Sequence, residues 1–485
     1  MNEASSGGTG GRPSLKTVIA VISFALMGAT AYGLWYLFTA PGDVGDDVDD
    51  RETLQAGPLP TSPSVTADRV EEESHELSIP GSLTEPRQAI EVPGPEAMRG
   101  FHEALEQLEE GERKLVRVLH YGDSILTTDQ LSGEVRRILQ GRFGDGGHGF
   151  VLLGKPWRWY GHVDVDHGAR GKWRGRPITS DPVRDGMYGL GGVAMEPQRA
   201  SHGRAWAGPS LDEESQVGKR VSSFDVSYMV QPRGGSFQIK LDGQVQETVS
   251  TAADETAAVH KVIEAPTPRS RLEVQYNNDG PVRLFGVVLE TDGPGIVYDS
   301  LAINGARASV LGRYDESHWA SELERRDPAL VVVMFGANEG ANRFLVLKEY
   351  RVHLRELLRN IRKAVPRSSI LVVGPLDQAR RNGDHTFSSW KMPIKLSQAQ
   401  REVAMSEGCA FFDTWTAMGG EGSMGKWFRH GLGGGDLIHP TEHGARKIGG
   451  WLAEALLYDY YKARSDSSDG ADGSDGSDAG ADSGR

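Results

Sequence analysis

The sequence predicts an α/β protein, a three-layer open sheet whose first crossover carries an antiparallel β insertion. Three observations predict it. Short apolar runs without alternation trade places with helical periodicities from about residue 115 onward, as parallel strands covered on both faces require. Roughly 150 residues separate the first of these helices from the second strand, far beyond an ordinary connection. That stretch contains strict two-residue alternation, as in Phe237-Ile239-Leu241 and Leu272-Val274-Tyr276, the signature of half-buried antiparallel strands.

The elements follow in order. Residues 1–16 are Gly/Ser-rich and predict a cytoplasmic tail. Residues 17–38 are 22 residues without a charge, long enough to span a bilayer as a helix. Arg12 and Lys16 precede this segment and acidic residues follow it. The charge bias puts the amino terminus in the cytoplasm and the rest outside an inner membrane, as a single-pass protein. No cysteine follows to carry a lipid, and Pro41 makes a poor context for signal cleavage. Residues 39–95 are acidic and Pro-rich and predict a disordered linker.

A helix is expected over about 96–111. Strands are expected at Val116–Tyr121, Gly295–Leu301, Leu330–Phe335, Ile370–Gly374 and Ala410–Asp413. Helices are expected over 125–143, 315–326, 346–364, 393–407 and 441–462. Residues 96–150 and 293–464 thus form the α/β domain. Residues 151–292 form the insert: a Gly-, Arg- and aromatic-rich part, then a β-sandwich. Residues 465–485 predict a disordered tail.

The net charge of −14 has a definite location. Residues 43–76 hold eleven Asp or Glu against Arg51 and Arg69, and residues 465–485 hold six Asp against Arg485. Those segments contribute −9 and −5, the whole of it. The folded part is close to neutral and has no basic excess to bind nucleic acid. The single cysteine, Cys409, permits no intrachain disulfide and sits in an apolar run, as a packed thiol would.

Four stretches carry chemistry. The first strand ends in Gly122-Asp123-Ser124. Asn304-Gly305-Ala306 follows the second strand. Gly336-Ala337-Asn338-Glu339 follows the third. Asp436-Leu437-Ile438-His439 precedes the last helix. All fall at the carboxyl edge of the expected sheet, where such folds bind ligands. Ser124 supplies a nucleophile, His439 the base that takes its proton, and Asp436 a carboxylate to hold the far ring nitrogen. The backbone N–H groups of Ser124 and Gly305 and the Asn338 amide supply an oxyanion hole. These parts need no cofactor and no metal. Trp157 and Trp173 are candidates for stacking on sugar rings, with simple packing of an irregular loop as the alternative.

These four blocks, in this order and on these elements, resemble the SGNH (GDSL-type) hydrolases. The resemblance covers about 113–150 and 295–462 and implies a flavodoxin-like domain, an ester substrate, and the roles just given to Ser124, Gly305, Asn338, Asp436 and His439. Ile125 stands where the family usually has Leu, and Glu339 where it usually has Asp. The His120–Ser124 stretch and Arg142–Phe150 further resemble the peptidoglycan O-acetylesterases, in which a carbohydrate-binding-like β-sandwich interrupts the hydrolase at this same place. That implies an acetylesterase whose partner is an O-acetylated cell-envelope polysaccharide, and the uncharged segment 17–38 adds the expectation of a membrane anchor.

Rival readings exist. The same triad serves a polysaccharide O-acetyltransferase. A glycan-binding protein on an inactive hydrolase fold is a third reading, opposed by the filled triad positions. His439-Pro440-Thr441-Glu442-His443 fits a zinc pattern, but Pro440 takes His439 off the helix that holds His443.

Overall fold

The computed structural model describes residues 85–472, with side chains to 466. The expected cytoplasmic tail (1–16), membrane span (17–38), most of the linker and the end of the acidic tail lie outside the described residues. Among the described residues no helix is long and apolar enough to cross a membrane.

Five parallel strands form the central sheet: β1 (Leu115–Gly122), β2 (Gly295–Ala302), β3 (Leu330–Met334), β4 (Ser369–Val373) and β5 (Ala410–Phe412). Their spatial order is β2-β1-β3-β4-β5. It is the flavodoxin-like order, whose switch point between β1 and β3 is where such sheets hold ligands. The unalternated apolar runs have a direct cause. Val116, Val118, Val332 and Leu371 enter one core, while Leu119, Tyr121, Val331 and Val372 enter the other. Each large side chain so buried contributes roughly 1.5–3 kcal/mol. The first core is roofed by α1 (Arg99–Glu109), α2 (Gln130–Phe143) and α6 (Glu442–Asp472). The second is roofed by α3 (Glu316–Arg326), α4 (Leu347–Ala364) and α5 (Lys391–Ser406), and by the insert.

Between α2 and β2 lie two antiparallel sheets. Leu272, Val274 and Tyr276 face Leu241, Ile239 and Phe237 in register, so the alternating pairs in the sequence are true neighbours. Ser223–Val230 pairs with Arg283–Glu290 across a bulge at Leu284/Gly286. Four further strands, Val165–Arg170, Trp173–Pro177, Val193–Pro197 and Arg204–Pro209, occupy the part expected to be irregular.

Three other boundaries are corrected. Residues 87–91 belong to the fold and not to a linker. Glu91 exchanges both backbone hydrogen bonds with Phe411, and the Arg87 guanidinium lies over Trp451. An edge strand such as β5 leaves a row of unpaired groups, and this segment covers part of it. The helix expected over 125–143 is broken. A 3₁₀ turn, Ser124–Leu126, is followed by Asp129 at φ 57°, and α2 begins only at Gln130. Finally, α6 runs to Asp472, past the start of the expected tail. Extending a formed helix costs far less than nucleating one, so poor formers such as Ser and Asp can follow it.

Candidate active site

At the end of β1 the chain has no room for a side chain. A Cβ at Gly122 would meet Leu126 Cδ1 at 2.5 Å and the Met334 carbonyl at 2.9 Å. Asp123, 1% exposed, turns inward. Its Oδ1 accepts from Ile125 N at 3.1 Å, and its Oδ2 from Gly336 N and Ala337 N at 3.2 and 2.9 Å. Asp123 therefore ties the end of β1 to the loop after β3. Burial pushes its carboxyl above the usual range, against the pull of those backbone donors. Ser124 opens the 3₁₀ turn and points the other way.

Ser124 Oγ lies 2.7 Å from His439 Nε2, and His439 Nδ1 lies 2.6 Å from Asp436 Oδ2. With Nδ1–H donating to the carboxylate, Nε2 keeps its lone pair for the serine proton. Asp436 Oδ1 also accepts from Ile438 N and His439 N at 2.9 and 3.0 Å, fixing the turn. Leu437 adopts φ 59° within it, a conformation costly for a side chain of that shape. The turn is clamped on both sides: Gly434 N donates to His439 O, and Ala379 N to Leu437 O. Burial works against both ionised groups. It is outweighed at His439 by the Asp436 hydrogen bond and charge, which raise the imidazole above its usual value. It is outweighed at Asp436 by the same ring and by the two backbone donors, which hold the carboxyl at about 2.

Gly305 has φ 72° and nothing within 4 Å of its missing Cβ, so a substrate atom can approach that backbone. Asn338 Nδ2 donates to Ala306 O at 2.8 Å, and an amide nitrogen has a second hydrogen to give. Glu339, 1% exposed, accepts from Ala308 N at 2.8 Å through Oε1, while its buried Oε2 meets no donor. Burial raises this carboxyl to about 7, so it is largely protonated below neutrality. Asn338 and Glu339 together bolt the Gly305 loop to the loop after β3. The insert reaches the same place. Thr179 Oγ1 donates to the Asn304 carbonyl at 3.2 Å, and Gly161 N donates to the Thr127 carbonyl at 3.2 Å, three residues past Ser124.

All five sequence-predicted residues of the site thus gather at this edge, on loops hydrogen-bonded to one another. The two tryptophans do not. Trp157 and Trp173 are partly buried and packed against the insert's core, and Trp173 lies on a strand, its indole donating to Arg170 O. Trp159, two residues after Trp157, is exposed at 45%. Sequence reasoning also passed over Asp123 and Glu339 as positioning groups. Both are polar residues beside a motif, and the missing signal was their burial.

One cluster among the described residues has the composition of a metal site. Asp129, His148 and His162 bring a carboxylate oxygen and two ring nitrogens within 4.8 Å of one another. The carboxylate is already saturated. Oδ1 accepts from Ser132 Oγ and Arg136 Nη1, and Oδ2 from Arg136 Nη2 and Val163 N. A buried guanidinium beside the cluster also repels a cation. His162 bridges His148, at 3.1 Å, and the Tyr160 hydroxyl, at 2.7 Å. The arrangement is an internal anchor for the loop that carries Trp159. The zinc pattern at 439–443 is likewise absent from the geometry: His439 precedes α6 and His443 lies within it.

Residues 268–447 match the model of the GDSL-like lipase/acylhydrolase family. The match includes Gly305, Asn338, Asp436 and His439 but starts inside the insert, so Ser124 joins it only through the fold. No curated protein matches the chain in sequence. A solved peptidoglycan O-acetylesterase superposes with a TM-score of 0.65 at 22% identity, covering 78% of this chain and 99% of that one. A salicylyl-acyltransferase from a tetracycline biosynthetic pathway aligns at 12% identity and TM-score 0.27, covering 61% of this chain and 96% of that one. A family two carbohydrate esterase from Clostridium thermocellum aligns at 12% identity and TM-score 0.25, with 61% and 100% covered. The first of these is a likeness of fold; the other two fall too low to carry weight. The family match over residues 268–447 holds the imidazole and the carboxylate, and the fold brings Ser124 onto them at the carboxyl edge of a flavodoxin-like sheet; together they make the chain the bearer of an SGNH-type (GDSL-like) acylhydrolase domain and the protein an esterase.

Proposed function

We propose that this esterase removes O-acetyl groups from a cell-envelope polysaccharide, peptidoglycan first among them. Ser124 attacks the acetyl carbonyl while His439 takes its proton. Asp436 stabilises the imidazolium, and the Ser124 and Gly305 N–H groups with the Asn338 amide hold the oxyanion. His439 then protonates the departing sugar oxygen, and water, deprotonated by the same imidazole, releases acetate. The observation that carries the reading is the unbroken Ser124–His439–Asp436 hydrogen-bond chain. The choice of substrate is supported by the fold likeness to a peptidoglycan O-acetylesterase, which spans 99% of that protein. Residues 17–38 would hold the enzyme in the inner membrane with its site outside. The test is acetate release from O-acetylated peptidoglycan and from O-acetylated xylan. Ser124→Ala should lower hydrolysis of a small acetyl ester about 10³-fold or more. Full activity in that variant, or a preference for xylan, would overturn the mechanism or the substrate respectively.

A further inference from the structure

We infer that Arg381 and Arg429, stacked on Phe387 beside the catalytic turn, form a subsite for carboxylate groups of the glycan substrate, an inference that rests on the envelope-polysaccharide reading. After β4 the chain forms a small hairpin, Ala379–Arg381 against Phe387–Ser389. Its first residue donates to the carbonyl of Leu437, two residues before His439. The helix Ser423–Arg429 leads directly into the catalytic turn, and its Gly425 leaves room for Phe387, whose Cβ a methyl there would meet at 2.7 Å. Phe387 pairs with Phe428 at 5.5 Å, and both rings join Ile438 at the rim of the core under the site.

Two guanidinium groups lie on this aromatic pair. Arg381 sits 5.3 Å from the Phe428 centroid and 5.7 Å from that of Phe387, and Arg429 sits 5.0 Å from Phe387. Both side chains are exposed. Among the described residues neither meets a carboxylate or any other hydrogen-bond acceptor. Elsewhere on the surface, Arg351, Arg355 and Arg359 each hold a glutamate. Stacking fixes the plane of a guanidinium and spares its N–H edges, which suits planar, two-pronged anions. The rings are thereby occupied as pedestals for cations, which disfavours direct stacking of a sugar on Phe387. A neutral glycan such as xylan gains nothing from this arrangement. A glycan bearing carboxylates, on the sugar or on an attached peptide, gains charge-assisted hydrogen bonds from a hairpin that is itself hydrogen-bonded to the catalytic turn. Phosphate-bearing polymers share the anion chemistry.

The test uses the full-length chain and acetate release. Substrates are O-acetylated peptidoglycan fragments with free stem-peptide carboxylates, the same fragments with those carboxylates amidated, and O-acetylated xylan. Wild type should prefer the free-carboxylate form through KM, and the preference should shrink with added salt. In the Arg381→Gln/Arg429→Gln double variant the kcat/KM ratio of free to amidated fragments should fall about fivefold or more. Competition should come from unacetylated muramyl peptides and less from poly(glycerol phosphate); the reverse order would reassign the subsite to phosphate. Equal losses on both fragment forms, or no effect of amidation on wild type, would overturn the proposal while leaving the substrate reading intact. Should wild type cleave a small ester but no glycan, the substrate reading fails. Calorimetry of muramyl peptide binding to the Ser124→Ala chain, with and without the arginine pair, then decides the subsite alone.

Discussion

His439 must be neutral to act as a base, and the Asp436 carboxylate raises its pKa above the usual 6.5. The rate of small-ester hydrolysis should therefore fall with decreasing pH through a midpoint above 6.5. Asp436→Asn should lower that midpoint along with kcat, and a pH–kcat/KM profile reads both. Glu339 makes an opposite kind of statement. Its carboxyl is raised to about 7 from 4.5, so the native state keeps a proton that the unfolded chain releases above 4.5. Stability should fall as pH rises between those values, and Glu339→Gln should abolish that slope in urea melts. Glu339→Asp withdraws the oxygen from Ala308 N and should cost about tenfold in kcat with little change in KM. A loss in Gln equal to that in Asp would refute the positioning role. Ser124, Asn338 and His439 were legible in the sequence because each sits on a small motif at a predictable strand end. Glu339 and Asp123 were not, because what defines them is burial against segments distant in the sequence.

Elements were legible where one side chain after another enters a core, and illegible where a single buried charge dictates the backbone. The interruption between the nucleophile turn and α2 is of the second kind. Asp129 takes a left-handed conformation because its carboxylate must reach Arg136 and Val163 N at once. Removing that carboxylate leaves Arg136, 1% exposed, without its ion pair. Asp129→Ala should cost about 3–5 kcal/mol in thermal or urea melts, whereas Trp159→Ala, at an exposed site on the loop this network anchors, should change stability by less than about 0.5 kcal/mol. The four strands between Val165 and Pro209 escaped the sequence for a related reason. Val-Asp-His-Gly-Ala-Arg has weak strand character of its own, and Val165–Arg170 is a strand because Arg204–Pro209 lies beside it.

At the scale of the whole molecule, the hydrolase and the insert share a partly buried ionic joint. Glu290, on the insert's last strand, binds Arg117 of β1 at 2.7 Å and Arg326 of α3 at 2.5 Å, while Arg326 also binds Asp299 of β2. Against its burial, those arginines hold Glu290 at about 2, below its usual 4.5. A depressed carboxyl contributes stability that is present above 4.5 and lost as pH falls towards 2. Glu290→Ala should cost about 3 kcal/mol at neutral pH and flatten the acid limb of the stability curve. Loss of insert and hydrolase signals in one transition would mark them as a single cooperative unit; two transitions would contradict that. The interruption itself was legible from the abnormal length of the crossover, but its contacts with Asn304 and Thr127 were not, since nothing in Thr179 or Gly161 marks them.

The order β2-β1-β3 has a consequence in time. β1 is made first, yet both its neighbours lie beyond the insert, at Gly295–Ala302 and Leu330–Met334. A growing chain therefore carries an unpaired apolar strand, with its serine at the end, through the synthesis of the whole insert. His439 arrives later still. Such a chain has no esterase activity during most of its translation, and residues 115–122 are the stretch a holding chaperone would be expected to protect until the sheet closes.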